Sequence, residues 1–289
     1  MPTTTEPTDH TPAELERPAW LDEDQWPFPI REVDTVTYVD VGEGPTLLLV
    51  HVGMWSFIWR DLLHELERDF RCVVVEAPAT GLSTGAGAAT IADAASAITT
   101  IVESLDLEDV TLVFHDLGGP ATLDAAADWP QRVRALVAVN SFGWRPSGMA
   151  FRAMLAVMGS RAMQGIDVVT GWLPRLTSTR FGVGRHLVRR DRRAFRRAMR
   201  ARGRASFHRY MRSARRHDFS RVDRAVLALG HRPLLTVFGE NNDPLAFQPQ
   251  WAARFDDIQQ LEVAGGNHFP MCDDPSGLAA AIAAWSETS

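Results

Sequence analysis

The sequence predicts an α/β chain: a mostly parallel, doubly wound sheet with a helical segment inserted late in the chain. Three observations predict it. Short apolar runs, of the length and β-branched content of buried strands, alternate with amphipathic helical patterns. The alternation breaks once, over residues 143–230, where helical patterns, methionines and aromatics replace the apolar runs. One run, Thr111-Leu112-Val113-Phe114-His115, stops at Asp116 and is followed at once by Leu117-Gly118-Gly119-Pro120 and a helical pattern. That is the layout of a strand–turn–helix elbow, which pushes one side chain into a strained, exposed position while small residues keep the helix clear of the strand. A strand-end aspartate capping the next helix is the plainer alternative for Asp116.

Taken in order, residues 1–20 are polar, proline-bearing and aperiodic, and are expected to form a disordered tail. Residues 35–40 read as a strand before a Gly42-Glu43-Gly44-Pro45 turn. Thr46 to Val50 form a run suited to burial on both faces, ending at His51, and a helix is expected over 56–68. Cys72-Val73-Val74-Val75 is another buried strand; residues 90–105 then carry apolar side chains at helical spacing. After the elbow strand and its helix, to about residue 129, comes a strand at 135–139. The pattern resumes with strands at 234–239 and 260–263 and a final helix over 275–286. This predicts a main domain from 21–142 and 231–289, with 143–230 as a helical cap over the strand ends. In such sheets ligands bind at the carboxyl ends of the strands, the edge where His51, Asp116 and Asn140 would sit.

Composition sets limits. A chain of 289 residues with 45% hydrophobic content can bury a large core. No run is long enough to span a membrane, and the N-terminus has no charged n-region before an apolar stretch, so a cytoplasmic protein is expected. Cys72 and Cys272 make neither a disulfide framework nor a metal-ligand pattern. Every basic residue is arginine. Between Arg180 and Arg224 stand 17 arginines against 3 aspartates and no glutamate, in a chain of net charge −6. This asymmetry either draws anionic substrates or partners, or gives solvated helix faces that pair with the acidic remainder. No nucleic-acid-binding module accompanies it. Met149, Phe151, Met154, Met158, Met163 and Trp172 suggest an adaptable apolar roof.

Three candidates for chemistry each follow a predicted strand: Asp116, Asp243 and His268. A carboxylate can attack saturated carbon without a base, giving an enzyme-bound ester. A histidine can then activate water, with an acid fixing its tautomer. Nucleophile, acid, histidine is the chain order of α/β-hydrolases. From about residue 30 onward the chain resembles an α/β-hydrolase of the haloalkane dehalogenase and epoxide hydrolase branch. The resemblance rests on Gly44-Pro45-Thr46-Leu47-Leu48-Leu49-Val50-His51, Trp55-Ser56-Phe57-Ile58-Trp59-Arg60, Gly81-Leu82-Ser83, His115-Asp116-Leu117-Gly118-Gly119-Pro120 and His268-Phe269-Pro270. It implies a metal-free, cofactor-free hydrolase acting on a small molecule, with Asp116 as nucleophile, His268 as base and Asp243 as acid. It further implies an oxyanion hole from the backbone N–H groups of Leu117 and Val52.

The departures from that branch bear on the leaving group. Dehalogenases of this kind usually follow the nucleophile with a tryptophan that holds the halide; here Leu117 stands there. The loop His51-Val52-Gly53-Met54-Trp55 is a residue shorter and lacks the second halide ligand. Trp55, Trp144 or Trp172 could substitute, although apolar packing is the plainer role for each. Epoxide hydrolases use two cap tyrosines as acids, and only Tyr38 and Tyr210 exist here. Tyr210 lies in the predicted cap and His208 is a conceivable companion. Asp243 follows Gly239 by four residues where relatives often have three, Glu240 is a fallback acid, and the alternative acid position after Val139 is empty, the next residues being Asn140, Ser141 and Phe142. Dehalogenase-like chemistry on an apolar substrate is expected first and epoxide hydrolysis second. A non-catalytic ligand-binding homologue is the remaining alternative.

Overall fold

The computed structural model describes residues 12–85 and 87–288. Its strands are β1 (Ala13–Leu15), β2 (Ile30–Val33), β3 (Val36–Val41), β4 (Thr46–His51), β5 (Arg71–Glu76), β6 (Val110–Asp116), β7 (Val133–Ser141), β8 (Leu234–Gly239) and β9 (Ile258–Val263). They form one sheet in the order β1-β2-β3-β5-β4-β6-β7-β8-β9. Pairing is antiparallel from β1 through β5 and parallel for the rest. The parallel centre follows from composition: Leu47 to Val50 of β4 and Val110 to His115 of β6 are buried throughout, as strands covered by helices on both faces must be.

The helices are α1 (Arg60–Leu66), α2 (Ile91–Ser104), α3 (Gly118–Ala126), α4 (Met149–Met158), α5 (Arg161–Thr170), α6 (Trp172–Thr177), α7 (Arg189–Ala198), α8 (Ala201–Arg216), α9 (Ser220–Leu229), α10 (Phe247–Ala252), α11 (Pro270–Asp273) and α12 (Pro275–Ser286). The start of α2 shows its cause. Thr90 accepts the Asp93 N–H at 3.1 Å while the Asp93 carboxylate accepts the Thr90 N–H at 3.0 Å, a capping box that satisfies two otherwise unpaired donors. The helix expected over 56–68 is a 3₁₀ turn, Ser56–Trp59, running into α1.

The expected disordered tail needs correction. Residues 1–11 lie outside the described residues, but β1 pairs with β2, and Trp20 packs edge-on against Trp55 at 6.1 Å. The edge strands are held by tertiary pairing rather than by an apolar run of their own.

Between β7 and β8 lie α4 to α9 and no strand among the described residues. Several of this segment's arginines pair with the rest of the chain: Arg185 with Asp273 at 3.4 Å, Arg221 with Asp124 at 2.6 Å, and Arg190 with Asp24. In the opposite sense, Asp191 of α7 meets Arg60 at 3.1 Å. The pairing is incomplete. Burial and the nearby guanidiniums of Arg161, Arg216 and Arg209 lower the Arg212 pKa.

Candidate active site

Asp116 ends β6 with φ of +52°, and Leu117 begins the turn into α3. An aspartate tolerates this left-handed conformation better than a bulky residue, but it is strained. The two following glycines are required by close approach. A Cβ on Gly118 would lie 2.6 Å from the Val50 carbonyl oxygen, and one on Gly119 would lie 2.2 Å from Ser141 Oγ and 2.3 Å from the Phe142 carbonyl oxygen. Ser141 Oγ in turn donates to the Asp116 carbonyl at 2.7 Å, tying the elbow to β7. Gly119→Ala should therefore cost about 3 kcal/mol, the upper end of overpacking penalties, because its nearest neighbours include backbone that cannot swing aside. Urea denaturation would measure the loss; a change under 0.5 kcal/mol (the ~0.5 typical of neutral surface substitutions) would show that the elbow has slack.

His268 follows β9 and reaches the elbow, with Nε2 3.7 Å from Asp116 Oδ2. Asp116 and His268 keep 21% and 36% of their side-chain surface exposed, so water reaches both. The loop carrying His268 is held at its own carbonyl. Asn140 Nδ2 donates to the carbonyls of Asn267 and His268, each at 2.9 Å. His115 Nε2 donates to the His268 carbonyl at 2.7 Å.

That last bond fixes a chain of tautomers. A carbonyl only accepts, so His115 carries its proton on Nε2 and a lone pair on Nδ1. His51 Nδ1, 3.1 Å away, must then donate to His115 Nδ1. His51 Nε2 is left as a buried acceptor with no partner among the described residues. Burial pushes both imidazoles toward neutrality, His51 to about 4 and His115 well below its ordinary value.

The expected acid is elsewhere. The Asp243 carboxylate accepts the N–H groups of Phe247 at 2.6 Å and Gln248 at 3.0 Å, which commits it to the start of α10. Glu240 accepts the Gly265 N–H at 2.6 Å. The group at His268 Nδ1 is the side-chain amide of Asn242, 3.2 Å away. Asn242 is the residue the sequence reading missed, and the signal was present: it stands three residues after Gly239.

A cavity of about 310 Å³ opens over Asp116 and His268. Its apolar walls are Met54, Leu176, Phe181, Phe207, Met211 and Phe269, so α6, α8 and the loop after α6 roof the strand ends. Thr177 is the other hydroxyl or charged side chain lining it, and its Oγ1 already donates to the Leu173 carbonyl at 2.9 Å. A larger depression of about 660 Å³, carrying Trp144, Leu227 and Arg254, contains neither Asp116 nor His268. Chemistry, rather than size, selects the smaller one.

None of the side chains considered for the leaving group lines this cavity. Trp55 is fully buried, packed on Phe57 at 4.6 Å and against Gly81, where a Cβ would come within 2.3 Å of its ring. Trp144 packs on Trp251 at 5.1 Å under the Arg254 guanidinium. The Trp172 indole N–H is buried without an acceptor among the described residues. The Tyr210 hydroxyl donates to the Pro78 carbonyl at 2.8 Å, and its pKa is pushed far up by burial. His208 is engaged inside the helical segment, by the Met158 carbonyl at 2.6 Å and Asp167 at 3.3 Å. Leu117 and Val52 are buried at the start of α3 and just after β4, where the elbow and the β4 loop converge.

An Asp elbow at the parallel strand ends, faced by a histidine after the last strand, defines a class, and comparison agrees. The profile described as the alpha/beta hydrolase family matches residues 47–281, and the chain belongs to that family. Within it the chain is haloalkane dehalogenase-like: it is 31% identical over 274 residues to "Haloalkane dehalogenase 2" of Mycobacterium tuberculosis, covering 89% of this chain and 94% of that one. Similar folds include haloalkane dehalogenase DbeA from Bradyrhizobium elkani, with a TM-score of 0.73 at 18% identity over 96% and 99% of the two chains. A putative ancestral haloalkane dehalogenase has a TM-score of 0.73 at 19% identity over 89% and 95%. No helix among the described residues is long and apolar enough to cross a membrane.

Proposed function

We propose that this protein is a hydrolase working through an alkyl ester on Asp116, dehalogenase-like toward a small, apolar substrate, with α4 to α9 as its cap. The observation that carries the reading is a strained carboxylate facing a histidine 3.7 Å away on the floor of a largely apolar cavity. In the first step Asp116 Oδ attacks a saturated carbon, and the carbon–halogen bond breaks with its electron pair leaving as halide. Water then attacks Asp116 Cγ while His268 Nε2 takes its proton. The tetrahedral oxyanion, at the N-terminus of α3, would be held by the backbone N–H groups of Leu117 and Val52. Its collapse expels the alkoxide, which takes the proton back from His268. The regenerated carboxyl group releases a proton, so the sum is alkyl halide plus water to alcohol, halide and a proton.

Among the described residues no tryptophan, asparagine or arginine side chain lines the cavity, which favours substrates whose leaving group needs little help, bromides and iodides over chlorides. Epoxide opening is less supported, because the Tyr210 hydroxyl that could protonate the oxygen is bound to Pro78. The test is intact-protein mass spectrometry of His268→Phe incubated with bromoalkanes and, separately, terminal epoxides. Without its base the enzyme should stall as the ester. A gain equal to the alkyl group, mapped to Asp116, supports dehalogenation, and a gain equal to the whole epoxide supports epoxide opening. No adduct from either series argues against the ester mechanism.

A further inference from the structure

We infer that Asn242 is the positioning partner of His268, in place of a carboxylate, and that it makes ester hydrolysis rather than alkylation the slow half of turnover. This inference rests on the proposed ester mechanism. Its observation is independent of that mechanism: the Asn242 amide meets His268 Nδ1 at 3.2 Å, while both Asp243 oxygens are occupied by the backbone of α10. Around His268, Asn140 reaches only its backbone carbonyl, His115 bonds that carbonyl and packs on the ring at 4.7 Å, Phe269 packs on the ring at 4.8 Å, and Asp116 is the carboxylate in ion-pairing range. Among the described residues no second carboxylate is in that range.

A carboxylate at this position does two things. It can only accept, so it forces the proton onto Nδ1 and leaves Nε2 free as a base; and its charge stabilises the imidazolium that forms. A carboxamide does neither fully. Its oxygen can accept from Nδ1–H, or its NH₂ can donate to Nδ1, which places the proton on Nε2 facing Asp116. Before the reaction the Asp116 carboxylate itself offsets a charged His268. Once alkylated, Asp116 is a neutral ester, and His268 faces water with no carboxylate beside it. Alkylation uses only Asp116 and escapes this handicap; hydrolysis bears all of it.

The test is rapid quench followed by intact-mass analysis with 1-bromobutane on the wild type, Asn242→Asp, Asn242→Leu and Asp243→Asn, with His268→Phe as the trapping control. The wild type should accumulate butyl ester at steady state. Asn242→Asp should raise the ratio of hydrolysis to alkylation rate constants by about tenfold, a fraction of the ~10²–10⁴ typical of a whole general-base contribution. Asn242→Leu should lower that ratio. Asp243→Asn should leave it as in the wild type, because asparagine is a good helix cap. The assignment is overturned if Asp243→Asn prolongs the ester while Asn242→Asp does not shorten it. No adduct even in His268→Phe overturns the ester mechanism and this inference with it. Nitrogen-15 spectra of the free protein provide a readout that needs no substrate. The His268 ring signals should shift toward the Nδ1–H tautomer in Asn242→Asp and stay put in Asp243→Asn; the reverse pattern also overturns the assignment.

Discussion

Asp116→Gly should abolish turnover and at the same time make the protein more stable. The activity loss is expected to be at least about 10⁴-fold, since the ester cannot form and what remains is water attack assisted by His268 alone. Among the described residues no other carboxylate lines the cavity to take over. The stability gain, about 1 kcal/mol, comes from relieving a non-glycine residue at φ +52°. The side chain contributes little that would be missed: its recorded partner is His268 at 3.7 Å, and both groups are partly solvated. Asp116→Asn is the control, keeping shape and backbone preference while removing the nucleophile. It should match Asp116→Gly in activity and the wild type in stability. Initial rates with a bromoalkane and thermal melting of the three proteins decide the matter. If glycine destabilises, the elbow is not storing strain; if either variant retains activity, the nucleophile is misassigned.

The parts of this site that could be read from sequence are those where chemistry and local geometry coincide. Asp116 was legible because two glycines follow a buried strand, and the close contacts at Gly118 and Gly119 show why nothing larger fits. The parallel strands were legible because burial on both faces leaves uninterrupted apolar runs. β1 and β2 were not, because Ala13-Glu14-Leu15 and Ile30-Arg31-Glu32-Val33 are edge segments whose order comes from pairing with each other and with β3. The acid was misplaced for a different reason. Of two adjacent residues in one turn, the charged one attracts the catalytic role, yet in Gly239-Glu240-Asn241-Asn242-Asp243 the backbone turns so that Asn242 meets the histidine and Asp243 meets a helix. The aromatic candidates were undecidable in the same way. Composition says that Trp55, Trp144 and Tyr210 can donate a hydrogen bond, but only packing says where each donor points.

Beneath the elbow lies a buried polar layer that should make this protein acid-sensitive. His51 is held near pKa 4 by burial, against 6.5 unperturbed, so below pH 6.5 the unfolded chain takes up a proton that the folded chain refuses. Its stability is full above 6.5 and is lost as pH falls toward 4; between pH 7 and pH 5 the loss is about 2 kcal/mol. His115 is displaced the same way by the same cause and adds to the loss on acidification. Charging His115 also breaks the hydrogen bond between the rings, since its Nδ1 would lose the lone pair that accepts from His51. Glu76 opposes them. Burial lifts it from 4.5 to about 7, against hydrogen bonds from Ser56 Oγ and Thr80 Oγ1, each at 2.6 Å. Its contribution is full below pH 4.5 and lost as pH rises through 7, so acidification to pH 5 returns about 2 kcal/mol. Two histidines oppose one glutamate, and the wild type should lose stability between pH 7 and pH 5. Glu76→Gln, nearly isosteric but without the opposing proton, should lose about 2 kcal/mol more than the wild type over the same interval. Urea midpoints of both proteins at the two pH values test this. A variant whose stability falls no further than the wild type's would mean that Glu76 is not protonated in the folded core near pH 5, and that its hydrogen bonds outweigh its burial.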